Sequence, residues 1–98
     1  MQIPPESMRF ATIENRDPDM YVISGLKVAA DFSSILHKHG TSISKVQSIL
    51  DIGCGVGRVS RVWPLLCNGN IWACDVVKEF IDWCSSNIEN VSFFNNNE

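Results

Sequence analysis

The stretch SILDIGCGVGRVSRV, Ser48 to Val62, decides how this 98-residue chain is read. Ile49, Leu50 and Ile52 give a short apolar run of the kind that forms a buried strand. Asp51 sits near its end, and glycines follow at 53, 55 and 57. Glycines allow backbone angles and close approaches that a Cβ forbids, so the run reads as strand, bare-backbone loop, then helix. The start of that helix is expected to offer unpaired N–H groups.

Working outward, the pattern repeats. NGN, 68–70, reads as a turn and IWACD, 71–75, as a second strand ending in an acid. KEFIDWCSSNI, 78–88, places Phe80, Ile81, Cys84 and Ile88 on one face of a helix. VSFF, 91–94, is a third strand. The helix after the glycines is expected from Gly57 to Leu66, limited or kinked at Pro64. Upstream, Asp17 and Pro18 open a helix whose inner face carries Tyr21, Gly25, Val28, Ala29, Phe32, Ile35 and Leu36, and Gly40 stops it. Gly25 weakens that helix and leaves room for a break there. Residues 1–16, with Pro4 and Pro5, read as an irregular arm with at most a short helical turn, and 41–47 as a polar connection.

Alternating strands and helices define an α/β class: a Rossmann-like parallel sheet of three strands preceded by an N-terminal helix. Residues 1–45 form the arm and helix, and 46–98 the β-α-β-α-β unit, together one partial domain.

Charge and composition exclude several roles. A net charge of −3 and a pI near 5.2 argue against a nucleic-acid partner. No apolar run is long enough for a membrane span, and the N-terminus has no basic-then-apolar leader, so a cytoplasmic location is expected. Cys54, Cys67, Cys74 and Cys84 form no CxxC pair and stand near no zinc-spaced histidine. They read as buried thiols of a reducing compartment, with no metal.

In a parallel sheet, ligands bind beyond the carboxyl ends of the strands, where Asp51 and Asp75 both lie. Asp75 is placed to accept hydrogen bonds from two ribose hydroxyls and to repel a 2′-phosphate, with Val76 and Val77 as an apolar wall for adenine. The dinucleotide fingerprint G-x-G-x-x-G would need glycine at position 58, which is Arg58. Asp51 would repel a pyrophosphate and attract an ammonium. An adenosyl ligand with an amine and no phosphate fits best, and S-adenosylmethionine is such a molecule. Plainer readings stand beside these: Asp51 capping its loop, Asp75 capping the next helix, and Cys54 as a small side chain that fits rather than a nucleophile. Arg58 and Arg61 read as solvated charges, although Arg58 has the reach for a carboxylate. His37 and His39 read as cations favoured at a helix end. Trp63, Trp72 and Trp83 read as buried core and sheet-face residues, with exposure at the broken surface as the alternative for Trp83.

ILDIGCGVGRVSRV resembles motif I of the class I S-adenosylmethionine-dependent methyltransferases, and IWACDVVKEFIDWC their motif II region. IPPESMRF, the helix with Gly25 and the segment from Asp82 to the end are similar to a bacterial branch of these enzymes. The resemblance implies that S-adenosylmethionine or S-adenosylhomocysteine is bound by Asp51, Gly53, Cys54, Gly55, Gly57, Asp75, Val76 and Asn95, or Asn96 beside it. Asp51 would meet the methionine amine, Asp75 the ribose, Val76 the adenine ring and Asn95 the adenine amino group. Arg9, Phe10 and Tyr21 would come from an arm lying over the cofactor. The family's sheet has seven strands, in the order 3-2-1-4-5-7-6; this chain supplies the first three, without the strand whose motif meets the methyl acceptor. The Asp51 strand is therefore expected at a raw edge that invites self-association or a complementing chain. Two other functions compete: a dinucleotide-binding oxidoreductase fragment, and a non-catalytic interaction module.

Overall fold

The computed structural model describes residues 2–13 and 17–97. Three parallel strands, β1 (Ser48–Ile52), β2 (Asn70–Asp75) and β3 (Ser92–Asn95), lie side by side in the order β1-β2-β3. Ile49 pairs with Ile71, Asp51 with Ala73, and Asp75 with Asn95. The carboxyl ends of the three strands are thus level, and Asp51 and Asp75 come to one rim of the sheet. β1 is an edge strand, as the sequence implied.

The helices are α1 (Glu6–Ile13), α2 (Pro18–Lys38), α3 (Trp63–Leu66) and α4 (Lys78–Asn87), with short 3₁₀ turns at Ile43–Lys45 and Ser60–Val62. The arm is therefore more ordered than expected: the amides of Met8 and Arg9 both donate to the Pro5 carbonyl and start a two-turn helix. α2 begins as read, with the Asp17 carboxylate accepting from the Asp19 amide at 2.9 Å. It does not break at Gly25. That residue faces the Arg58 carbonyl so closely that a Cβ would stand 2.2 Å from its oxygen. Glycine is there because two backbones touch, not because the helix bends.

The segment after the glycine loop is shorter than expected. It winds through tight turns to the 3₁₀ turn at Ser60–Val62 and only then becomes α3. Pro64 explains this, because its ring nitrogen has no proton for the Ser60 carbonyl and an α-helical ladder cannot run through it. The strand bounds differ by one residue: β2 takes in Asn70, and β3 begins at Ser92.

The core is asymmetric. Ile49, Ile71, Ala73 and Phe93 share the sheet face that the helices cover, where Ala29 of α2, Val62, Trp63 and Cys67 form one cluster and Ile81 of α4 joins Ala73 in another. Alternation sends Leu50, Ile52, Trp72 and Phe94 to the opposite face. There they are 55%, 70%, 41% and 43% exposed. Only Cys74 is buried on that side, between its register neighbours Ile52 and Phe94. Trp72, read as buried, is thus the tryptophan left exposed.

Trp83 instead lies under Arg61, and so does Tyr21, with ring centroids 5.8 and 5.4 Å from the guanidinium carbon. Arg61 is buried, donates Nε–H to the Gly57 carbonyl at 3.2 Å, and reaches the Gln2 carbonyl. It is not the solvated charge its position suggested. Its long side chain lies along two rings while its head finds backbone acceptors. All four cysteines are free and buried. Among the described residues, no helix is long and apolar enough to cross a membrane.

Candidate functional site

The loop after β1 is held from three sides. From β2, the Cys74 carbonyl accepts the amides of Gly53 and Cys54 at 2.8 and 2.9 Å. Also from β2, Asp75 Oδ2 accepts the Gly55 amide at 2.9 Å. From α2, the Tyr21 hydroxyl donates to the Val56 carbonyl at 3.0 Å. From α4, the Cys84 thiol reaches the Gly55 carbonyl at 3.6 Å, beside the Cys54 thiol at 3.5 Å. The amides of Gly53, Cys54 and Gly55 are therefore engaged within the protein. That outcome suits a ligand lying against the loop and ill suits a phosphate that needs several N–H donors.

Asp75 is bonded on both oxygens: Oδ1 takes the Val77 amide at 2.9 Å while Oδ2 takes Gly55. The bond to Val77 spans two residues and bends the chain into α4, whose N-cap is Val77 itself. Asp75 is thus not a plain cap of that helix. Each oxygen keeps a second lone pair, and the residue is only half-buried. Asp51 does not cap its loop either. Its Oδ2 accepts the hydroxyl of Ser60 at 2.6 Å.

A cavity of about 690 Å³ opens at this rim. Asp51, Gly53, Cys54, Gly55, Arg58, Asp75 and Phe80 line it where the strands end. Val28, Phe32, Leu36, Ile43, Val46, Ile49, Val59 and Trp63 continue it as an apolar trough beside the free edge of β1. Both acids therefore face one hollow. At Gly53, with φ +74°, a Cβ would meet nothing within 4 Å, so bare backbone looks into open space. Gly57 serves otherwise: it is outside the cavity lining, and a Cβ there would stand 2.5 Å from Ile88 Cδ1 of the chain following α4.

The remaining expected residues lie around this hollow rather than in it. Val76 is 58% exposed and outside the lining. Asn95 donates Nδ2–H to the Asp75 carbonyl at 2.9 Å, and the Asn96 amide reaches the same oxygen at 3.3 Å. Both brace the strand end that carries Asp75. Tyr21 is fully buried beneath the loop, and Arg9 bonds the Pro4 carbonyl. From α1 it is Ala11 that reaches the lining. Phe80 and Ser60 were not singled out from sequence. Phe80 had a signal, since it stands on the first turn of the helix that follows Asp75, but its apolar face read as core.

Two ionisations carry the mark of burial. Tyr21 is pushed up to about 12 by desolvation, so its hydroxyl remains a donor. The Cys54 thiol is pushed up, first by its hydrogen bond with Cys84 and then by burial. It is a poor nucleophile, in keeping with a structural role. Arg58, half-buried, donates Nη1–H to Ser24 Oγ at 3.1 Å and lines the cavity with Asp51. Among the described residues, no group of three or more His, Cys, Asp or Glu could hold a metal ion.

In its parallel β1-β2-β3 sheet, its glycine loop after β1 and the acids at the tips of β1 and β2, the chain is similar to part of the S-adenosylmethionine-dependent methyltransferases. Residues 50–97 match the family model described as a methyltransferase domain. The plantazolicin methyltransferase BpumL, solved with a monoazolic desmethylPZN analog and SAH, is similar over 93% of this chain and 34% of its own, at 25% identity and a TM-score of 0.62. A TehB-like SAM-dependent methyltransferase from Corynebacterium glutamicum is similar over 76% of this chain and 46% of its own, at 17% identity and a TM-score of 0.48. No curated protein matches the chain. The chain thus spans about a third of the length of BpumL.

Proposed function

We propose that this chain is the cofactor half of an S-adenosylmethionine-dependent methyltransferase. The observation that carries the reading is that Asp51 and Asp75 line one hollow whose floor is the Gly53–Gly55 backbone. Asp51 offers an acceptor to the methionine ammonium, Asp75 offers lone pairs to the ribose hydroxyls, and Phe80 and Val76 flank the place of the adenine ring. Cys54 and Gly57 shape the loop, and Asn95 holds the Asp75 strand end. The cofactor, when bound, supplies a methyl group activated by its own sulfonium. The chain's part is to position that methyl and exclude water, without a protein nucleophile.

Spent loop amides and Arg58 in place of a third glycine weigh against a dinucleotide. A thermal-shift series with S-adenosylhomocysteine, NAD and NADP tests this. Stabilisation by S-adenosylhomocysteine alone is expected; stabilisation by NAD or NADP alone overturns the reading.

The acceptor-binding side belongs to further structure beyond these three strands. We infer that β1's free edge and the apolar face of Leu50, Ile52, Trp72 and Phe94 are covered in the working protein by more strand-bearing chain, or by a second copy where none is joined to it. Four buried, free thiols suit a reducing compartment such as the cytoplasm.

A further inference from the structure

We propose that Ser60 is a positioning residue for the cofactor's amino-acid tail, acting through Asp51. This deepens the function proposed above and rests on it. Ser60 lies on the 3₁₀ turn after the glycine loop, is fully buried, and donates to Asp51 Oδ2 at 2.6 Å. A serine in a helical turn ordinarily bonds a carbonyl three or four residues back. Here those acceptors are engaged. The Val56 carbonyl takes the Tyr21 hydroxyl, and the Gly57 carbonyl takes both the amide and Nε–H of Arg61. The Ser60 hydroxyl, with one proton to give, gives it across to β1 instead.

The consequence is a fixed carboxylate. Asp51 sits on an edge strand, half-buried at the mouth of the cavity, where an unrestrained side chain would sample several rotamers. A short bond from a buried hydroxyl to a carboxylate oxygen is among the stronger hydrogen bonds. With Oδ2 held, Oδ1 is left for the cavity. The ammonium of the cofactor's tail then meets an acceptor whose orientation has been settled before binding, which saves the ordering cost at that moment. Ser60 itself touches no ligand.

The test separates the tail from the nucleoside. Titration calorimetry on the full chain would compare S-adenosylhomocysteine with 5′-methylthioadenosine, which keeps the adenosyl part and lacks the amino-acid tail. Ser60→Ala is expected to weaken S-adenosylhomocysteine about tenfold, while 5′-methylthioadenosine changes by less than about twofold, and Ser60→Thr restores the lost affinity. Ser60→Cys fills the same volume with a weak donor and is expected to behave as alanine does, should the alanine variant fail to fold by circular dichroism. Equal losses for both ligands, or no loss for either, overturn the proposal while leaving the cofactor assignment intact. If the unaltered chain binds neither ligand, the cofactor assignment itself falls.

Discussion

Replacing Gly25 by alanine tests how α2 is joined to the glycine loop. In an isolated helix the change is favourable by about 1 kcal/mol, because glycine is the poorer helix former. Here the added Cβ would stand 2.2 Å from the Arg58 carbonyl oxygen, 3.0 Å from its carbon and 3.2 Å from Cγ. An ordinary contact needs roughly 1 Å more, and the nearest atom is backbone, which cannot swing aside. α2 must lift from the loop or the loop must sink. Overpacking of this kind costs about 1–3 kcal/mol. Two hydrogen bonds that tie the same surfaces, Tyr21 to Val56 and Arg58 to Ser24, are stretched with it. Each is worth about 1 kcal/mol. The net expectation is a loss of about 2–4 kcal/mol, a large part of what a domain this small has to spare. Urea unfolding followed by circular dichroism reads it, with Ala30→Gly on the exposed side of α2 as the counterpart that loses only helix propensity. A Gly25→Ala chain with an unchanged or higher midpoint would refute the argument, for it would mean that α2 does not rest on the loop.

Other outcomes follow from the same packing. Tyr21 is the sole tyrosine, so tyrosinate absorbance reports on it alone. Its midpoint should lie near 12 in the folded chain and near 10 in urea. Because the folded state holds the proton more tightly, this contribution to stability is whole below pH 10 and drains away between 10 and 12. None of Cys54, Cys67, Cys74 and Cys84 should react quickly with a disulfide reagent in the folded chain, and all should react once unfolded; a fast-reacting thiol would contradict their burial. Ile52→Lys places a charge on a residue 70% exposed at the free edge strand. It should lower the mass seen by light scattering while leaving the urea midpoint within about 0.5 kcal/mol, as surface changes do. An unchanged mass for an associating chain would show that the copies meet elsewhere.

Strands and their order were legible because short apolar runs ending in acids and glycines have few other uses. The loop was legible too, down to the acids that share its cavity. What sequence could not show was contact between segments far apart in the chain. Gly25 read as a weak point in a helix, because its reason for being glycine is Arg58, 33 positions later. Arg61 read as a surface charge, because its two rings come from α2 and α4. Ser60 was passed over for the same cause: a serine in a turn is unremarkable until the local carbonyls are found to be taken. Pro64 marks a limit to the helix in the sequence, but the turns that precede it, from Gly57 to Val62, carry no signal of their own.

The way the loop is held also narrows what it can bind. Gly53, Cys54 and Gly55 all give their amides to β2, through the Cys74 carbonyl and the Asp75 carboxylate. Those three amides are not left as donors for an anion, and one of them already meets a carboxylate that belongs to the protein. What the loop presents outward is shape, together with two carboxylates whose remaining lone pairs ask for donors. Hydroxyls and an ammonium satisfy that demand, and phosphates do not. The selection between a dinucleotide and an adenosyl sulfonium is thus made less by the number of glycines than by where their amides are spent. A carboxylate at Asp75 that occupies the loop in this way holds the loop's form and fixes its own orientation in a single arrangement.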